Sequence, residues 1–303
     1  MTLTEEIQTL KKAKKALLLV HNYQRPEIQD AADYLGDSIE LCRNAMEEKT
    51  AEIIVMSAVD FMAESAFILN PGKKVLLPSL GARCPMAQML TAEQVHLWKK
   101  RYPGAPVVLY VNTLAEAKAA CDVCCTSANA ATVVESLEED TVLFGPDANL
   151  AWHVQQKTGK QIIPIPSRGC CPTHILFTKG DVELSREMHP DALVMAHPEC
   201  SPEVQLAADF VGSTSQMCRY ATQTSASSFI VGTEIGLLYR LQKENPAKEF
   251  IPLYDGAICP NMKLNTLEQV YLSLRAEHHL VTVPKIVANK ARSALERMLH
   301  LSS

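Results

Sequence analysis

Cys84, Cys171 and Cys259 are each followed by proline and lie 87 and 88 residues apart. Other reactive side chains follow the same period. His21, Tyr110 and His197 precede Ser38, Ser127 and Thr214 by 17 residues each, and Asp60, Asp147 and Glu234 precede the three cysteines by 24, 24 and 25. One unit is therefore written three times, and self-similarity at a fixed period is the first organising signal in a chain. Each copy supplies one thiol, one aromatic or imidazole group and one hydroxyl. Folded about a common axis, the copies bring all nine groups to one point. Three protein ligands with a vacant position are the mark of a catalytic metal centre rather than a closed structural one.

Three thiolates without a fixed histidine favour a soft centre, and iron–sulfur clusters are normally held by four thiolates. With three, one iron of a [4Fe–4S] cluster stays open and acts as a Lewis acid. Zinc on the same cysteines is the competing reading, although thiolates pile negative charge on zinc and blunt its acidity. Cys170 stands beside Cys171, but only Cys171 precedes proline and keeps the 24-residue distance from Asp147. Cys42, Cys121, Cys200 and Cys218 read as small buried residues. The Cys121-x-x-Cys124 pair has no second pair at zinc spacing.

The segment His197-Pro198-Glu199 offers the best acid/base pair: an imidazole poised near neutrality, and a carboxyl that desolvation raises towards it. Tyr23 and Tyr110 are suited to donate hydrogen bonds to a substrate oxygen. Ser38, Ser127 and Thr214 stand at expected helix starts. Helix N-termini converging on a cavity make an anion site, and capping of their own helices is the alternative use of these hydroxyls.

Elements that position these groups are legible as short apolar runs. Each copy opens on one (residues 16–20, 107–111 and 192–196), carries a second (53–56, 142–144 and 229–231), and ends on a third leading to the Cys-Pro. Such runs suit strands covered on both faces, and their alternation with helices indicates α/β layers. The expected architecture is three pseudo-threefold-related α/β/α domains, each with a short parallel sheet, around a central site. Their expected bounds are 1–86, 87–173 and 174–262, with helices over 263–303 packing back on them. Thr266 or Asn265 would cap one of these helices, and Pro284 would sit in the first turn of the last.

The 303 residues are 47% hydrophobic and 21% charged with a net charge of −5, which suits a soluble globular enzyme and suggests neither a nucleic-acid nor a membrane surface. Residues 16–20 are too short an apolar run for a signal peptide or a membrane span, so ten cysteines point to a reducing cytoplasm.

The segments HNYQ, GDS, YVN, TSAN, PDANLA, GCCPTH, HPEC, GST and CPNMKLNTLE, taken together from about Val20 to Ala276, resemble the quinolinate synthase family, iron–sulfur enzymes of de novo NAD biosynthesis. The resemblance implies condensation of iminoaspartate with dihydroxyacetone phosphate to quinolinate, phosphate and two waters, with iminoaspartate supplied by an upstream enzyme. It implies Cys84, Cys171 and Cys259 as cluster ligands. Substrate contacts would come from His21, Tyr23, Ser38, Tyr110, Val111, Asn112, Ser127, His197, Pro198, Glu199 and Thr214. An electron-transfer module, the rival class, would need a fourth protein ligand and no converging substrate groups.

Overall fold

The computed structural model describes residues 2–301. Its first eight elements are α1 (Leu3–Ala13), β1 (Ala16–His21), α2 (Pro26–Ala31), β2 (Tyr34–Gly36), α3 (Ser38–Glu47), β3 (Ile53–Ser57), α4 (Asp60–Leu69) and β4 (Lys74–Leu76). The same eight kinds follow as α5 (Ala92–Arg101), β5 (Val107–Tyr110), α6 (Ala115–Lys118), β6 (Val123–Cys125), α7 (Ala130–Glu135), β7 (Thr141–Gly145), α8 (Ala148–Lys157) and β8 (Gln161–Pro164). They recur as α9 (Lys179–Met188), β9 (Leu193–Ala196), α10 (Pro202–Ala207), β10 (Phe210–Val211), α11 (Thr214–Gln223), β11 (Ser228–Gly232), α12 (Gly236–Glu244) and β12 (Glu249–Pro252). Two helices close the chain, α13 (Leu267–Ala276) and α14 (Lys285–His300).

The three sheets have one topology. Each is four-stranded, in the orders β2-β1-β3-β4, β6-β5-β7-β8 and β10-β9-β11-β12, and every named pair is parallel. This is an α/β architecture of three repeated layers, as expected. Central strands such as β3 are buried along their whole length, because helices cover both faces and leave no solvated side to carry polar alternation. The edge strands β2, β6 and β10, two or three residues each, carry no periodic signal of their own.

One apolar core joins the first two copies through Phe61, Val108, Phe144 and residues of α14 such as Leu295 and Met298, all nearly or fully buried. Helix α14 packs on α4, α6 and β6, and α13 packs on α1. Thr266 caps α13 by accepting from the Gln269 N–H at 3.3 Å. Pro284 occupies the cap position of α14 rather than its first turn.

Register explains one of the recurring intervals. His21 pairs with Gly36, Tyr110 with Cys125 and Ala196 with Val211, an offset of 15 residues in every copy. Two residues beyond that partner, or beyond its neighbour in the third copy, stand Ser38, Ser127 and Thr214. Parallel pairing therefore fixes each hydroxyl beside its strand end.

Candidate active site

Ligands of open α/β sheets gather beyond the carboxyl ends of the strands. Here the three carboxyl edges share one cavity. His21, Tyr110 and His197 line it from the strand ends, and Tyr23, Asn112 and Glu199 line it from two residues further on. Ser38, Ser127 and Thr214 reach it through the register above, and Cys84, Cys171 and Cys259 reach it from the loops after β4, β8 and β12. Val111 and Pro198 do not line it. The Val111 N–H is spent on the Cys125 carbonyl at 2.8 Å, and the Pro198 carbonyl accepts from Gln205 Nε2 at 2.8 Å.

The two strand-end imidazoles are set alike. The Tyr23 N–H donates to His21 Nδ1 at 3.1 Å, and the Glu199 N–H donates to His197 Nδ1 at 3.2 Å. A ring nitrogen that accepts leaves the proton on the other, so both rings carry Nε2–H. Burial pushes both down to about 3, against the opposing pull of Glu199. They are therefore neutral donors near neutrality.

Glu199 departs from expectation in the opposite sense. Burial does oppose its ionisation, but His174 and His197 lie beside it and Tyr110 donates to it, which holds its carboxyl below the usual range. Tyr110 Oη donates to Glu199 Oε1 at 2.7 Å, and His174 Nδ1 lies 2.7 Å from Glu199 Oε2. Burial raises the Tyr23 and Tyr110 phenols well above their ordinary value, so both remain proton donors.

His174 and Thr233 were not singled out from sequence. His174 is buried, stacks on His197 at 4.6 Å between centroids, and lies 2.9 Å from Thr233 Oγ1 through Nε2. Thr233 Oγ1 is 2.6 Å from Tyr23 Oη. A continuous polar chain thus runs from Tyr23 through Thr233 and His174 to Glu199 and Tyr110.

The hydroxyls do not cap their helices. Asp37 caps α3, with Oδ1 accepting from the N–H groups of Ile39 and Glu40 at 3.1 Å, and Ser213 caps α11 by accepting from Gln216 at 3.3 Å. Ser38 and Thr214 are the first helical residues instead. The expected helix start at Ser127 is displaced, since α7 begins at Ala130. Thr214 is further specified: its Oγ1 accepts from Asn22 Nδ2 at 2.8 Å, and Asn22 Oδ1 in turn accepts from Arg240 Nη1 at 2.8 Å. With its oxygen so engaged, the Thr214 hydroxyl proton is free for the cavity.

The thiols suit a soft metal group. All ten cysteines are free, and one from each copy faces this cavity while Cys170, half-buried, does not. Burial raises the Cys84, Cys171 and Cys259 thiols, so a cationic centre is what would hold them as thiolates. Cys171, His174 and Glu199 also bring donor atoms within 4.8 Å of one another, a mixed set able to hold a single ion. Cys121 and Cys124, whose sulfurs are 3.9 Å apart, lie outside the cavity.

The model of the family described as Quinolinate synthetase A protein matches residues 5–300 of this chain. Quinolinate synthase of Methanothermobacter thermautotrophicus is 56% identical over 300 residues, covering 99% of this chain and 98% of that protein. The quinolinate synthase of Pyrococcus horikoshii is 51% identical over 302 residues, covering the whole of both, and that of Thermodesulfovibrio yellowstonii is 49% identical over 299 residues, covering 99% and 98%. With three sheets that share a cavity and a match along nearly its whole length, the chain belongs to the quinolinate synthetase A protein family.

Proposed function

We propose that this chain is a quinolinate synthase, condensing iminoaspartate with dihydroxyacetone phosphate to quinolinate, phosphate and two waters. The observation that carries this is the shared cavity: three thiols, three hydroxyls, neutral imidazoles and an ionised carboxylate, drawn from all three copies. Cys84, Cys171 and Cys259 would hold a [4Fe–4S] cluster, which supplies a Lewis-acidic iron open to substrate.

The chain's own residues divide the remaining work. Glu199, ionised and pinned by Tyr110 and His174, is the base that takes substrate protons. Tyr23 and Tyr110 keep their phenolic protons and donate to oxygens that gain enolate character. His21 and His197 donate through Nε2–H. Ser38, Ser127, Thr214 and Asn112 bind the phosphate and carboxylates, with the N-termini of α3 and α11 adding favourable dipoles.

We further propose units bounded at 1–86, 87–173 and 174–262, a cytoplasmic setting and an upstream enzyme supplying iminoaspartate. Ten free thiols suit a reducing compartment. No described helix is long and apolar enough to cross a membrane.

The second reading is a single zinc ion on Cys171, His174 and Glu199, favoured by the proximity of their donor atoms. Anaerobic purification followed by metal analysis, a visible spectrum and a quinolinate assay decides between them. Iron, a visible band that bleaches in air and quinolinate formation are expected. Stoichiometric zinc without iron would sink the cluster reading.

A further inference from the structure

The 24-, 24- and 25-residue intervals have a physical meaning that the site above does not use. The Cys84 N–H donates to Asp60 Oδ1 at 3.0 Å, the Cys171 N–H to Asp147 Oδ2 at 3.1 Å, and the Cys259 N–H to Glu234 Oε1 at 3.1 Å. Each carboxylate stands at the turn from the third strand of its copy (β3, β7 or β11) into the following helix, and each reaches across to the cysteine loop. Asp147 is fully buried and Glu234 is 1% exposed, so water does not compete for these bonds.

Ordinary helix capping does not account for the set. Asp147 caps α8 through Oδ1, which accepts from Leu150 at 2.7 Å, and spends its other oxygen on Cys171. Glu234 is no cap of α12; its Oε1 accepts from Cys259, its Oε2 from the Gly236 N–H at 2.7 Å, and Lys263 Nζ lies 2.8 Å from Oε1 and 3.1 Å from Oε2. Nor do the carboxylates favour thiolates, because a negative charge beside a thiol opposes its ionisation. What they do control is geometry, since a bond from a carboxyl oxygen to a backbone N–H restrains the dihedrals that aim the side chain.

We propose that Asp60, Asp147 and Glu234 are positioning residues for the metal centre, each clamping the backbone of one ligand cysteine so that its sulfur stays turned into the cavity. This rests on the proposed cluster. The structure also supplies the discriminating variants. Asp60 uses one oxygen, Oδ1, for both the Phe61 N–H and the Cys84 N–H, so Asp60→Asn keeps both bonds and Asp60→Ala keeps neither. Asp147 uses one oxygen for each partner, so Asp147→Asn keeps the cap and loses the Cys171 clamp.

The experiment follows iron release to a chelator from the anaerobically purified full chain and reads the melting temperature of each variant. Asp60→Asn should release iron at the wild-type rate. Asp60→Ala and Asp147→Asn should release it about tenfold faster, the equivalent of one lost hydrogen bond, and the melt shows that each variant is folded at the assay temperature. Wild-type release rates in both Asp60→Ala and Asp147→Asn overturn the proposal. If Asp147→Asn does not fold, the Asp60 pair decides alone. A wild-type chain that carries no iron overturns the cluster reading itself, and is recognised before any variant is compared.

Discussion

Tyr110 and Glu199 belong to different copies of the repeat, and the Tyr110 phenol donates to Glu199 Oε1 at 2.7 Å across the cavity. This bond and the His174 contact on the other oxygen leave Glu199 ionised in a place where burial alone would neutralise it. Glu199→Gln removes the charge and turns an amide donor towards one of these partners. Turnover should fall by about 10²-fold or more, the scale of a positioned base, while iron content stays at the wild-type level. Near-normal quinolinate formation would remove Glu199 from proton transfer.

The cap of α11, Ser213, and the proposed substrate contact, Thr214, are adjacent residues, which makes the two roles separable. Thr214→Ala should weaken substrate affinity by about 1.5–3 kcal/mol, as expected for a bond to a charged acceptor, in addition to the stability lost with the buried Asn22 bond. Ser213→Ala should cost about 1 kcal/mol of stability through the lost cap. Thermal melts and KM values on the two variants check this. An unchanged KM in Thr214→Ala would remove Thr214 from substrate binding.

Cys170 and Cys171 are neighbours with different surroundings. Cys171 lines the cavity and its N–H is held by Asp147, whereas Cys170 lies off the cavity. Cys171→Ser should lose iron and activity, and Cys170→Ser should keep both. Iron analysis of the two proteins is sufficient, and the reverse result would mean that the second copy is out of register with the others.

Periodicity made the repeated part of the site readable. An offset of 15 between paired strands returns as the 17-residue interval, and the carboxylate–amide bonds return as the intervals of 24 and 25. His174 escaped because it is not repeated: the residues three past Cys84 and Cys259 are Ala87 and Met262. Its only sequence signal was a place inside GCCPTH. The Glu199 carboxyl was misjudged because burial was visible in the apolar strand before it, while its compensating partners come from other copies. The caps of α3 and α11 were misplaced by one residue, since Asp37 and Ser38, like Ser213 and Thr214, are all good cap types and only backbone geometry separates them.

Acid should destabilise the metal-free chain. His21 and His197 are held near 3 when folded, below the value of about 6.5 they regain on unfolding. The unfolded state therefore binds more protons below about 6.5, and the stability present above that pH is lost as pH falls towards 3. Urea midpoints at pH 7.5 and about 5.5 should show the drop, and His21→Asn should reduce it. An equal drop in His21→Asn would show that other groups drive the acid transition.

Lys118 stands eight residues after Tyr110, the interval that separates Gln29 from His21 and Gln205 from His197. All three are buried and tie down the backbone of the loop that follows the strand end. Gln29 Nε2 donates to the Gln24 carbonyl at 2.8 Å, Gln205 Nε2 donates to the Cys200 carbonyl at 2.8 Å, and Lys118 Nζ donates to the Thr113 carbonyl. The second copy thus places a cation where the others use an amide, and burial lowers its pKa. Lys118→Gln and Lys118→Met remove the same charge, so the difference between them isolates the bond to Thr113. Lys118→Met should be less stable than Lys118→Gln by about 1–3 kcal/mol, the cost of a buried carbonyl left without a donor. It should also raise KM, because Asn112 rides on the released loop. Equal denaturation midpoints for the two variants would show that Lys118 fills space in the core and holds nothing in place.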